Sequence, residues 1–279
     1  MPARLIDGRA IAERVKRTIA KDVAIMSTKP CLAVLMIGDN PSSRIYVSRK
    51  EAACEGVGIE MRNVTLPASA KESEVLEQVA VLNHDSGVHG ILAQLPIPSQ
   101  ISEQHVLESI DPRKDVDGLN PVNVGRLHSG GQPMFIPATP KAIMHVLKEE
   151  RVVLAGKNAV VVGRSNLVGR PVAALLLDAR ATVTQCHSRT PRLADVTKRA
   201  DVLIVAAGKP RLITSDFVNK GAVVIDVGIN RLVDGRIVGD VDEEVRNVAS
   251  VLTPVPGGVG PITIAMLLEN MVKACRELT

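Results

Sequence analysis

AVVVGRSNLVGRP, residues 159–171, joins a short apolar run to two glycines and a proline. Ala159 to Val162 has the small, β-branched composition of a buried parallel strand. The run breaks at Gly163, and Gly169 and Pro171 then lead into the apolar helix former VAALLLDA. Strand, glycine turn and helix together let backbone N–H groups and a helix N-terminus meet a phosphate. Ser165 stands where the middle glycine of G-x-G-x-x-G would be, so a βα turn that binds nothing is the other reading. Two further readings fail. A triphosphatase loop needs Gly-Lys-Ser/Thr where Arg170 and Pro171 follow Gly169, and a G-x-S-x-G elbow fails at Leu167.

The next strand, Ala181 to Cys186, ends in His187, Ser188, Arg189 and Thr190. A site that prefers NAD usually carries Asp or Glu here, to hold the ribose 2′-hydroxyl. A hydroxyl, a cation and an imidazole suit a 2′-phosphate instead, with Arg164 as a second cation. NADP is the expected cofactor, and a solvated polar loop is the alternative.

A chain of 279 residues accommodates two domains with their own cores. Apolar residues make up 46%, yet there is no Trp, one Tyr and two Phe, so aliphatic side chains and Met must fill those cores. So few rings argue against nucleic-acid binding by stacking. The net charge of +4 is spread without a basic block, which fits an anionic small molecule and gives no case for nucleic acid or membrane. Four scattered cysteines read as reduced, buried thiols, and the six histidines lack zinc-type spacing, so no metal is expected. The first residues do not read as a signal peptide, and no apolar run is long enough to span a bilayer. The cytoplasm is the expected compartment.

Asp7 can cap a first helix from Gly8 to about Ile25. Strands follow at 31–37, 60–66 and 90–95, separated by helices that open near Pro41 and at Glu72. This first half is therefore also α/β. Asp111 to Leu127 holds Asp, Gly, Pro and Asn too densely for regular structure and reads as a loop. A helix from Thr139 to Glu150 links the halves. Strands at 202–206 and 223–227 end in the glycine loops Ala207-Gly208-Lys209 and Gly228-Ile229-Asn230. Thr253 to Pro261 (TPVPGGVGP) reads as a loop before a final helix, 262–278.

Tyr46 and Lys50 are four apart on one helix face. Lys50 could act as an acid–base group if burial lowered its pKa. Gln94, at a strand's carboxyl end, could orient it, and Asp117 could accept two N–H donors from a heterocycle. Each residue also has an ordinary role available: a surface lysine with a packed tyrosine, a strand-end hydrogen bond, an Asx turn.

Taken together, the chain resembles the bifunctional methylenetetrahydrofolate dehydrogenase/methenyltetrahydrofolate cyclohydrolase family almost end to end. The motifs are Tyr46-x-x-x-Lys50, Gly90 to Pro98 (GILAQLPIP), Lys114 to Gly118 (KDVDG), Val162 to Pro171, Cys186 to Thr190 and Thr253 to Pro261. The resemblance implies two α/β domains with a cleft between them. A folate-binding catalytic domain of residues 1–138 would be completed by the helix 262–279, and residues 139–261 would form a Rossmann-like NADP-binding domain. It implies that Lys50 is catalytic with Gln94 as its partner, and that Tyr46 contacts the folate. Asp117 would hold the pterin edge, with Leu95 and Pro256, Gly257, Gly258, Val259 and Gly260 lining the substrate site. Gly163, Arg164, Ser165, Ser188, Arg189 and Ile229 would contact NADP.

The implied chemistry is oxidation of 5,10-methylenetetrahydrofolate to the methenyl compound, then its hydrolysis to 10-formyltetrahydrofolate, in one-carbon metabolism that feeds purine biosynthesis. A homodimer is expected from the family alone. Ala52, Leu119, Asn120 and Ala138 differ from the residues frequent in relatives. Missing the cation common at position 52 would shift the Lys50 pKa upward. A dehydrogenase lacking the hydrolase step, and an NADP-responsive binding protein without catalysis, are the competing readings.

Overall fold

A computed structural model describes residues 2–279, with Ser42 described by its backbone alone. In chain order the elements begin with β1 (Arg4–Leu5), α1 (Gly8–Ala24), β2 (Cys31–Ile37), α2 (Pro41–Glu55), β3 (Glu60–Leu66), α3 (Glu72–His84) and β4 (Gly90–Ala93). Next come α4 (Glu103–Ser109), α5 (Pro121–His128), α6 (Ala138–Glu149), β5 (Asn158–Val162), α7 (Gly169–Asp178), β6 (Thr182–Cys186), α8 (Leu193–Thr197) and β7 (Val202–Val205). The chain closes with β8 (Val223–Asp226), β9 (Asn230–Arg231), β10 (Ile237–Val238), β11 (Val251–Leu252) and α9 (Val259–Leu278).

The chain forms two compact units. The first along the chain to be nearly complete contains Glu13–Ala138 and Ile264–Thr279, and is called the N-terminal unit below. The other, the C-terminal unit, contains Thr139–Thr263 and the chain up to Ala12. The expected division at residue 138 therefore differs at the start of the chain. The reason is β1, which pairs in parallel with β11.

In the N-terminal unit β2 lies between β3 and β4, all parallel. Strand β2 is apolar along its length and buried, as a central parallel strand must be. Strand β3, at the edge, alternates toward solvent. Leu35, Ile91, Val75 and Val79 pack between this sheet and α3.

The sheet of the C-terminal unit is parallel in the order β1-β11-β8-β7-β5-β6. Val160, Val162, Leu203, Val205 and Val224 pack on one face of it. From β5 the chain moves outward to β6 and then crosses back to β7. The strand order thus reverses between β5 and β7, and the usual ligand position in a Rossmann-type sheet lies beyond the carboxyl ends of such a pair.

The structure corrects two expected loops. Residues 121–128 form helix α5, because Asn120 caps it by accepting the Val122 N–H (2.9 Å) and Pro121 sits in its first turn. Helix α9 begins at Val259, so the last part of TPVPGGVGP is helical. At the other end of the chain, Asp7 Oδ1 accepts the Ala10 N–H at 2.9 Å and caps α1, as its sequence predicts.

Candidate active site

Helix α2 carries Tyr46 and Lys50 one turn apart, and Gln94 follows directly on β4. The Gln94 N–H donates to the Leu35 carbonyl at 2.8 Å, so the β2–β4 ladder fixes its backbone. Its side-chain Nε2 donates to the Leu95 carbonyl at 2.8 Å, which turns Oε1 toward Lys50. The Lys50 ammonium donates to that oxygen at 2.9 Å. Burial lowers the Lys50 pKa, opposed first by the Asp117 carboxylate and then by the Cys54 thiol one turn along α2. Burial raises the Asp117 pKa in turn, opposed by the Lys50 charge. A partly desolvated amine held by a neutral amide can take up and release a proton nearer neutral pH than a free lysine. The Tyr46 ring is exposed.

The segment that presents Asp117 is held from behind by its neighbours. Lys114 is buried, and its ammonium donates to the carbonyls of Leu82 (3.1 Å), Asn83 (2.8 Å) and Asp85 (2.8 Å), closing the carboxyl end of α3. Asp115 is buried too and accepts from the backbone N–H groups of Leu119 (3.1 Å) and Asn120 (2.8 Å) and from Asn123 Nδ2 (2.9 Å). Its pKa is pushed up to about 7 by burial, against those donors. Asn120 spends its amide on the carbonyls of Leu107, Glu108 and Ile110, so it braces the loop.

In the C-terminal unit Gly163 has φ +132°, and a Cβ there would fall on the Ala206 carbonyl oxygen. Only glycine lets the turns after β5 and β7 approach so closely. Ser165 Oγ accepts the N–H groups of Val168 (3.2 Å) and Gly169 (3.4 Å) at the start of α7. After β6, the His187 N–H donates to Thr190 Oγ1 (2.9 Å) and the Arg189 N–H to His187 Nδ1 (3.1 Å). His187 and Thr190 thus shape the turn, while Ser188, Arg189 and Arg164 are exposed. Pro256 and Ile229 are exposed as well, Gly257 and Gly260 are half-buried, and Gly258 and Val259 are buried. All of these residues lie in the C-terminal unit, and Tyr46, Lys50, Gln94, Leu95 and Asp117 lie in the N-terminal one.

Comparison with known proteins settles the lineage. Residues 6–117 match the tetrahydrofolate dehydrogenase/cyclohydrolase catalytic domain, and residues 137–279 match the NAD(P)-binding domain of the same family. The chain belongs to the tetrahydrofolate dehydrogenase/cyclohydrolase family. It is 52% identical to the Bifunctional protein FolD of Anoxybacillus flavithermus, over 99% of each chain. The crystal structure of the bifunctional FolD enzyme from Campylobacter jejuni matches with a TM-score of 0.97 at 48% identity, over 99% of each chain. The Trypanosoma brucei FolD structure, complexed with NADP cofactor and inhibitor, matches with a TM-score of 0.95 at 38% identity, over 99% of this chain and 98% of that one.

Sequence reading assigns no separate role to several buried charges of this family member. Lys114 and Asp115 enter it only as parts of a motif, and Asp226 and Asp240 do not enter it at all. All four are buried. An acidic residue among glycines reads as a turn until the fold reveals what closes over it. Among the described residues, all four cysteines are reduced and buried, no three His, Cys, Asp or Glu side chains cluster as metal ligands would, and no helix is long and apolar enough to cross a membrane.

Proposed function

We infer that this chain oxidises 5,10-methylenetetrahydrofolate with NADP and hydrolyses the 5,10-methenyl product to 10-formyltetrahydrofolate. The observation that carries this reading is the Lys50–Gln94 contact of 2.9 Å, in a chain related over its full length to bifunctional enzymes. Residues 13–138 with the end of α9 are the folate-binding part in this reading, and residues 139–263 the cofactor-binding part.

The turn after β5 fits a dinucleotide. It is a strand–glycine–helix connection whose helix has no acidic residue in its first turn. Gly163, Arg164 and Ser165 would hold the cofactor there, with Ile229 contributing apolar contact. Exposed Ser188 and Arg189, where a carboxylate would select NAD, favour the 2′-phosphate of NADP. Bound NADP supplies the hydride acceptor of the first reaction.

For the folate, Asp117 accepts the N–H donors of the pterin edge and Tyr46 offers its exposed ring as a contact surface. Leu95 and Pro256–Gly260 line the substrate. Aligning the one-carbon bridge is the main service the chain renders to the oxidation. In the hydrolysis, Lys50 moves the proton of the attacking water, and Gln94 keeps the amine aimed. A homodimer in the cytoplasm, supplying formyl groups for purine biosynthesis, is the wider setting.

An absorbance assay tests this reading. The bifunctional enzyme forms the methenyl compound only with NADP present, and hydrolyses added methenyl compound faster than buffer does. NADP-dependent formation without hydrolysis would indicate a dehydrogenase alone. NADP binding with neither reaction would indicate a binding protein.

A further inference from the structure

The carboxyl edge of the C-terminal unit's sheet contains two buried carboxylates that the chemistry above does not use. Asp226, at the end of β8, is 3% exposed, and Asp240 is fully buried. Asp226 Oδ1 accepts the N–H groups of Gly228 (2.9 Å) and Asp240 (3.0 Å), and Oδ2 accepts that of Val241 (3.0 Å). The Asp226 N–H donates to Thr253 Oγ1 at 2.7 Å, and that hydroxyl donates back to the Asp226 carbonyl at 3.1 Å. Asp240 Oδ2 accepts the N–H groups of Ala207 (2.6 Å) and Gly208 (2.8 Å), and its Oδ1 accepts Asn230 Nδ2 at 2.8 Å. The two side chains thereby tie together the loops after β7, β8 and β10, and the Asp226 backbone holds the start of the TPVPGG segment.

Space around the pair is filled as completely as its hydrogen bonds. A Cβ on Gly228 would collide with the Asp240 carboxylate, and one on Gly239 with that of Asp226. The loop after β7 flanks the point where the strand order reverses, since Ala206 meets Gly163 there. The loop after β8 holds Ile229, 54% exposed, between a glycine bonded to Asp226 and an asparagine bonded to Asp240. Held on both sides, Ile229 offers an apolar side chain at a fixed place for a ring to pack against.

We propose that Asp240, supported by Asp226, is a positioning residue for the nicotinamide cofactor: its carboxylate sets the Ala207–Gly208 turn and, through Asn230, the exposed side chain of Ile229. This rests on the cofactor reading above. Preformed loops spare the ordering cost that binding would otherwise carry, so the effect falls on cofactor affinity. The hydrolysis of methenyltetrahydrofolate needs no cofactor and reports on the rest of the molecule.

Asp240→Asn keeps the shape and the acceptor for Ala207 and Gly208, but turns an NH2 group toward the Asn230 NH2. Asn230→Asp in the same chain restores an acceptor opposite it. The measurements are NADP affinity by titration calorimetry and the rate of methenyl hydrolysis without cofactor, on the full chain. Asp240→Asn is expected to weaken NADP by about tenfold, the loss of one hydrogen bond to a charged group, with hydrolysis within about twofold of the parent. The double variant is expected to regain most of that affinity. Asn230→Ala, which removes the outer bond and the long Asn230 contact to the Val238 carbonyl (3.5 Å), is expected to weaken NADP severalfold and serves if Asp240→Asn does not fold. Parent-like NADP affinity in these variants, or hydrolysis lost in step with affinity, overturns the positioning role alone. A parent chain that fails to bind NADP overturns the cofactor reading and this role with it.

Discussion

Lys50 faces a neutral partner, and that choice has consequences at the scale of one residue. Gln94 accepts from the ammonium without fixing its charge, while burial favours the free amine. Lys50→Met keeps the bulk of the stem and removes the amine, so methenyl hydrolysis should be abolished; a variant that still hydrolyses would refute the assignment. Gln94→Glu places a negative charge against the ammonium and raises its pKa. The limb of the cyclohydrolase pH–rate profile that reports Lys50 should then move upward by about one unit, a typical effect of a close opposite charge. At the other ligand, Arg164→Ala and Ser188→Ala should weaken NADP roughly tenfold or more while leaving NAD nearly unchanged, since only NADP has the 2′-phosphate. Equal losses for both cofactors would remove the basis for the 2′-phosphate contact.

At the scale of elements, Lys114 joins two pieces of structure that sequence reading keeps apart. Its ammonium satisfies three carbonyls at the end of α3 while its own carbonyl accepts the Ile91 N–H at 2.7 Å. Lys114→Met fills similar space without a donor and should lower the unfolding free energy by about 2–4 kcal/mol, because charged hydrogen bonds are lost and buried acceptors are left bare. Urea unfolding monitored by circular dichroism measures it, and an unchanged midpoint would deny the brace. Elements with many residues of one character were legible: β2 and β3 run over the residues their composition predicts, because seven positions carry a clear pattern. Two-residue strands such as β1 and β11 carry no period, and pairing alone creates them. Helix α5 was hidden by its Asn and Pro, which mark a loop or a helix start equally well until Asn120 is seen to cap. The Lys50–Gln94 neighbourhood was legible through family motifs, whereas Asp226 and Asp240 act on backbone N–H groups that leave no trace in sequence.

For the whole molecule, buried carboxyl groups set part of the pH dependence of stability. Burial pushes the Asp226 pKa up to about 7, with its backbone donors opposing, while an unfolded chain would hold it near the ordinary value of 3.8. The folded chain therefore binds the proton more tightly between these values. That contribution is fully present below the unfolded pKa and is lost as pH rises through about 7. Asp226→Asn removes this titration, so the stability of the parent relative to the variant should be greater at about pH 4.5 than at about pH 8, on the order of 1 kcal/mol or more for a shift above one unit. A gap that stays constant with pH, in urea unfolding at both values, would contradict it.

The chain's two ends trade places: residues up to Ala12 finish one unit and residues after Thr263 finish the other. A ribosome that has released the first half has therefore made neither unit whole. The N-terminal one waits for its last helix, and the C-terminal one keeps its earliest strand in reserve until β11 emerges. Termination before Thr263 would leave two unfinished cores, and termination between there and the end of the last helix would leave the N-terminal one unfinished.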